Sequence, residues 1–111
     1  MTGWIIQEKG KKVGACVYGP SREESLPTYG EIVVFYLLPE YFGKGYGKAL
    51  MDFVLNDMKQ NGFSNVYLWA LRENTRARRF YEKNGFYHDG KELICPLAGD
   101  NLVDLRYVKA I

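Results

Sequence analysis

Histidine and cysteine are scarce in this chain of 111 residues, which carries one histidine, His88, and two cysteines, Cys16 and Cys95. A single histidine without neighbouring ligands makes no metal site, and His88 beside Asp89-Gly90 reads as a surface residue of a turn. Cys16 and Cys95 form neither a metal-binding spacing nor a disulfide framework. Both stand in strand-like apolar surroundings and read as buried, reduced thiols, from which a cytoplasmic location follows. Long apolar runs are missing as well. No stretch approaches the roughly 18 residues of a membrane span, and no signal peptide precedes the fold. A net charge of +2 is too small to point to nucleic acid. Internal repeats and low-complexity tracts are absent. What remains is core material: 47% hydrophobic and 15% aromatic residues, enough for one ordered domain of this length.

Periodicity divides the chain into short elements. Residues 4–8 and 13–18 read as a hairpin reversed at Lys9-Gly10-Lys11-Lys12. Residues 19–28, with Pro20, Ser21, Ser25 and Pro27, form an exposed loop. Residues 31–38 are a nearly continuous β-branched and aromatic run, suited to a strand buried on both faces. A helix follows over 45–61, where Leu50, Met51, Val54, Leu55 and Met58 make one apolar stripe and Gly62 is the stop. Residues 66–71 form another buried strand, and Asn74 caps a second helix that ends at Gly85. Residues 87–94 and 101–108 are the last strands, with Gly90 and residues 97–100 between their runs. The order β-β-β-α-β-α-β-β predicts an α+β fold on a mixed sheet. It is parallel across the strand–helix–strand unit and antiparallel at the flanking hairpins.

The strand–helix junction Leu37-Leu38-Pro39-Glu40-Tyr41-Phe42-Gly43-Lys44-Gly45-Tyr46-Gly47-Lys48 is the most informative stretch. Alternate glycines let backbone N–H groups converge, and the helix adds its own free N–H groups and dipole. Such a cradle suits a diphosphate, with charge from Lys44 and Lys48 nearby. A Walker loop fails because Phe42 and Ala49 stand where glycine and a hydroxyl belong. A dinucleotide fingerprint fails because Lys48 and Leu50 stand where glycine belongs. Alone, the glycine pattern is a weak signal that a flexible strand–helix turn also explains.

A second motif, Asn74-Thr75-Arg76-Ala77-Arg78-Arg79-Phe80-Tyr81-Glu82-Lys83-Asn84-Gly85-Phe86, narrows the choice. The pair resembles the GNAT superfamily, the acetyl-CoA-dependent N-acetyltransferases. These join a loop of the form Q/R-x-x-G-x-G/A to a later Asn-x-x-Ala-x-x-Phe-Tyr-x-x-x-Gly-Phe. Gly45-Tyr46-Gly47 matches the loop core, while Phe42 replaces the usual Gln or Arg. Asn74, Ala77, Phe80, Tyr81, Gly85 and Phe86 match the second motif. The resemblance runs from about Trp4 to the carboxyl end. The strand and two helices with which such a domain ordinarily opens, and which usually wall the acceptor site, have no counterpart here. A minimal natural version, a completing partner chain and a fragment all fit that departure.

The resemblance implies acetyl-CoA as cosubstrate and a primary amine, on a small molecule or a protein, as acceptor. Acyl transfer needs a deprotonated amine, a stabilised oxyanion and a protonated leaving thiolate. Glu31 is the candidate base, its alternative being an edge glutamate in a salt bridge. As base it needs burial to raise its pKa, or water to relay the proton. By resemblance the parallel strands part after Leu38, so backbone groups of Leu37 and Leu38 take the pantetheine amides and polarise the thioester carbonyl. Tyr81 is the candidate acid, since a phenol near pKa 10 matches a thiolate. Asn74 caps its helix and by resemblance also bonds the pantetheine arm. Phe42, Gly43, Lys44, Gly45, Tyr46, Gly47 and Lys48 form the expected diphosphate loop. Arg79, within the cluster Arg72, Arg76, Arg78 and Arg79, suits the cofactor's 3′-phosphate or a solvated face rather than nucleic acid. Neither cysteine lies in a motif, which argues for direct transfer without a covalent intermediate. The rival expectation is a catalytically silent acyl-CoA-binding module. An uncovered edge strand at 4–8, with Trp4, Ile5 and Ile6, predicts a homodimer.

Overall fold

Alternating apolar residues assemble one six-stranded mixed sheet, seen in a computed structural model that describes residues 1–97 and 100–111. Its strands are β1 (Thr2–Glu8), β2 (Lys11–Pro20), β3 (Gly30–Leu37), β4 (Asn65–Leu71), β5 (Tyr87–Leu97) and β6 (Asp100–Ala110). Helix α1 (Tyr46–Gln60) crosses from β3 to β4, and α2 (Thr75–Lys83) follows β4. The strands lie in the order β1-β2-β3-β4-β6-β5. Among the described residues β3 and β4 pair in parallel and the other pairs are antiparallel. Among the described residues no helix is long and apolar enough to cross a membrane.

Both helices pack on one face of the sheet. Met51, Val54 and Met58 of α1 are fully buried against Tyr18, Ile32 and Val66, each such side chain contributing about 1.5–3 kcal/mol. Tyr81 and Phe80 of α2 join the same cluster beside Leu68, Leu105 and Tyr107. The opposite face has no helix among the described residues. There the β2–β3 loop is pinned over the sheet: the Tyr67 hydroxyl accepts from the Arg22 N–H at 3.2 Å, and Arg106 donates to Ser25 Oγ at 3.3 Å.

Three expectations change. The strand at 31–38 is buried on both faces only at its start, and Val34 and Tyr36 further along it are exposed. The strand expected over 87–94 runs on to Leu97 as β5, and a register shift between His88 and Glu92 absorbs Gly90, whose φ is +96°. His88 therefore lies inside a strand, its ring 5.9 Å from that of Tyr107, rather than in a turn. Cys16 is buried and free. The Cys95 side chain and residues 98–99 of the expected connection lie outside the described residues.

At the open edge, Trp4 and Ile5 of β1 are exposed, whereas Ile6 packs against the core. Trp4 also stacks edge-on with Phe53 at 4.9 Å and donates its indole N–H to Asp57. The edge strand is thereby tied to α1.

Candidate functional site

The glycines between β3 and α1 serve two different physical ends. Gly43 and Gly45 have φ of +73° and +88°, a backbone state that side chains disfavour, and the space around both is open. Gly45 is the N-cap of α1 and offers no capping side chain. The first intrahelical bond is Ala49 N–H to Gly45 O, so the N–H groups of Tyr46, Gly47 and Lys48 precede the helical ladder. Gly47 is needed for proximity instead: a Cβ there would stand 3.0 Å from Phe80 Cε1. Its absence lets α1 approach α2.

The two motifs meet across a cleft of about 930 Å³ between the glycine loop, β3 and α2. Of the expected residues, Leu37, Phe42, Gly43, Gly45, Gly47 and Lys48 line it from one side. Asn74, Arg79 and Tyr81 line it from the other. Asn74 caps α2 as expected, its side chain accepting from Ala77 N–H at 3.1 Å. Leu38, Lys44 and Tyr46 do not line the cleft. Lys44 leans over the Tyr41 ring at 5.8 Å, and Tyr46 packs edge-on against Tyr41 at 5.3 Å, where the Glu8 carboxylate pushes its phenol pKa up. Lys48 is bonded to Asp52 at 2.9 Å, which offsets the charge expected of it.

The backbone of β3 opens earlier than the sequence suggests. Pairing with β4 is confined to Gly30↔Val66 and Glu31↔Tyr67, so the strands part after Glu31 rather than after Leu38. Leu38 N–H donates to Val13 O at 2.8 Å and its carbonyl accepts from Tyr41 N–H at 2.9 Å. Leu38 is thus already partnered. In the same ladder Gly14↔Leu37 and Cys16↔Phe35 are the pairs without mutual hydrogen bonds. The N–H and C=O groups of Leu37 and Phe35 therefore point away from β2, into the gap left by β4. Phe35 was missed because the extra residue Val33, which has no partner in β2, sets this parity and leaves no mark in the sequence.

Tyr81 is buried between Phe35, Phe80, Phe86 and Tyr107, with ring centroids 5.6–6.4 Å away. Burial, with the neighbouring Cys16 thiol, pushes its pKa up to about 12, so the phenol is protonated at neutral pH. Burial likewise pushes the Cys16 thiol up to about 12.

Glu31 stands in a different pocket. A cavity of about 480 Å³ on the helix-free face is lined by Arg22, Glu23, Glu31, Tyr67, Trp69 and Asp104, among others. The buried Glu31 carboxylate receives Arg22 Nε at 2.8 Å and Nη2 at 2.9 Å. That guanidinium outweighs burial and holds the carboxyl below its usual range. The salt-bridged arrangement is the one seen, and burial does not raise the basicity of Glu31. Arg22 was invisible from sequence because only closure of the loop brings it to β3. Among the described residues no group of three histidine, cysteine, aspartate or glutamate side chains could hold a metal.

A sequence profile of the Acetyltransferase (GNAT) family matches residues 1–86. The chain is 29% identical over 105 residues to "Probable N-acetyltransferase Rv2775" of Mycobacterium tuberculosis, covering 94% of this chain and 58% of that protein. It is 34% identical over 83 residues to mycothiol acetyltransferase of Beutenbergia cavernae, covering 75% of this chain and 27% of that protein. The chain therefore spans well under two thirds of either relative. Among solved structures, ribosomal-protein-alanine N-acetyltransferase from Brucella melitensis superposes with a TM-score of 0.85 at 19% identity, covering 98% of this chain and 68% of that one. A Bacillus anthracis protein solved in complex with acetyl coenzyme A gives 0.83 at 20% identity, with 98% and 61% covered. At these identities the likeness is one of fold.

Proposed function

Because the chain belongs to the GNAT acetyltransferase family, we propose that it transfers an acetyl group from acetyl-CoA directly to a primary amine. The observation that carries this reading is the cleft itself. The backbone of Gly47 and Lys48 at the start of α1, the unpaired backbone of Phe35 and Leu37, and Tyr81 all border one ligand-sized space. Acetyl-CoA supplies the acetyl group as an activated thioester. The glycine loop and α1 hold its diphosphate, Asn74 borders the arm, and the N–H groups of Phe35 and Leu37 bond the amides and polarise the thioester carbonyl.

Tyr81 gives its proton to the sulfur as the C–S bond breaks and the C–N bond forms, and no cysteine need be acylated. The acceptor enters from the Glu31 pocket on the helix-free face. With its pKa held down by Arg22, Glu31 stays ionised, attracts the ammonium and passes its proton outward through water. Direct transfer from an ammonium near pKa 10 to an ordinary carboxylate would be uphill by about 8 kcal/mol, so the proton is relayed through water to the bulk solvent instead of resting on Glu31.

Exposure of Trp4 and Ile5 at β1 supports a homodimer in which a second copy covers that edge. The buried free thiol of Cys16 suits a cytoplasmic setting. The test is release of free CoA across a panel of small amines and lysine peptides, run beside a CoA-binding measurement. Turnover on any amine supports the enzyme. CoA binding without turnover on any of them supports the rival, a silent acyl-CoA-binding module.

A further inference from the structure

The cleft-lining cations are Lys48, Arg76, Arg79 and Lys83, and their environments differ. Lys48 is engaged by Asp52, so the glycine loop brings little free charge of its own. Arg76, in the first turn of α2, reaches across the mouth of the cleft to the loop. Its guanidinium carbon lies 4.5 Å from the centroid of the Phe42 ring, next to Gly43. Among the described residues no carboxylate lies within ion-pair distance of it. Stacking on an aromatic ring occupies the flat face of a guanidinium and leaves its N–H edges free, the edges that match phosphate oxygens two at a time. Phe42 stands where the loop motif usually has a polar or cationic side chain. Here the ring serves as a platform, and the charge arrives from another element.

We propose that Arg76, held in place by Phe42, is the cation that binds the diphosphate of the cofactor, closing over it from α2 opposite the glycine loop. This rests on the reading of acetyl-CoA as the ligand. The position beside Gly43 and the loop N–H groups, rather than along the outer face of α2, assigns it to the diphosphate and not to the 3′-phosphate.

Calorimetric titration of the whole chain with CoA, 3′-dephospho-CoA and pantetheine tests the assignment, using wild type, Arg76→Ala, Phe42→Leu and the double variant. Arg76→Ala is expected to weaken CoA and dephospho-CoA alike by roughly ten- to a hundredfold, the range of a charge-assisted hydrogen bond, and to leave pantetheine unchanged. Phe42→Leu is expected to weaken CoA, and the double variant to bind no worse than Arg76→Ala alone. Arg76 is exposed, so the unliganded melting temperature should be the same for Arg76→Ala and wild type. A loss under threefold overturns the proposal. A loss for CoA that disappears with dephospho-CoA also overturns it, assigning Arg76 to the 3′-phosphate, and so does strict additivity in the double variant. Wild type that binds no CoA overturns instead the cofactor reading on which it rests.

Discussion

Tyr81→Phe separates chemistry from packing more cleanly than other substitutions in the cleft. The Tyr81 ring is enclosed by four aromatic rings at 5.6–6.4 Å, and all of those contacts survive in phenylalanine. Truncation to alanine would instead cost about 3–5 kcal/mol in cavity and transfer free energy, confounding any assay. Tyr81 lines the cleft and among the described residues no hydrogen bond to its hydroxyl is lost, so stability should change by less than about 0.5 kcal/mol. What disappears is the proton donor, and general-acid catalysis is typically worth 10²–10⁴-fold, or about 2.7–5.4 kcal/mol of barrier. The assay is CoA release at saturating acetyl-CoA, with calorimetry confirming unchanged CoA affinity. With the phenol pKa near 12, wild-type kcat should show no fall from Tyr81 ionisation up to about pH 10. A loss of less than about fivefold would refute the assignment, whereas a wild-type fall with an apparent pKa near 10 that is absent in Tyr81→Phe would keep Tyr81 as the acid and overturn its burial-raised pKa.

Arg22→Ala strands a buried carboxylate and should destabilise the fold by about 1–3 kcal/mol at neutral pH, after allowing for the exposed guanidinium. Because Arg22 lowers the folded-state pKa of Glu31, its contribution is present above the ordinary carboxylate pKa and lost as pH falls through the folded value. The melting-temperature gap between wild type and variant should therefore close below about pH 4, and a gap independent of pH would contradict the ion pair's role. Glu31→Gln, assayed on a productive amine, should lower the rate most at low pH, where the ammonium most needs a proton acceptor; a profile parallel to wild type would make Glu31 purely structural. Light scattering at micromolar concentration should report a dimer, and a monodisperse monomer would leave the β1 edge without its proposed cover.

The sequence carried the parts of this structure that depend on local chemistry. Asn74 is the cap of α2, the stripe through Met51, Val54 and Met58 is the buried face of α1, and the glycines of the loop have left-handed or closely packed backbones. What it concealed depends on distant partners. Lys48 looked like a phosphate ligand until Asp52 was seen to hold it, although the i,i+4 spacing of the pair was available as a hint. Leu38 looked free until Val13 and Tyr41 were seen to occupy its backbone. The bulge at Val33, which turns Phe35 and Leu37 toward the cleft, comes from register and not from residue type. Arg22 and Arg76 acquire meaning only when the β2–β3 loop reaches Glu31 and α2 faces Phe42.

Calorimetric titration of the chain with acetyl-CoA, repeated with Gly45→Val, tests the central claim most directly. Wild type should bind one equivalent and gain roughly 2.7 kcal/mol of stability at a hundredfold excess over Kd. A Cβ at Gly45 meets no neighbour within 4 Å, but a β-branched side chain disfavours the +88° backbone of the loop by about 1–2 kcal/mol. That variant should stay folded and lose most of the binding. Wild type showing no heat and no melting shift with saturating acetyl-CoA, or Gly45→Val binding as tightly as wild type, would contradict the account.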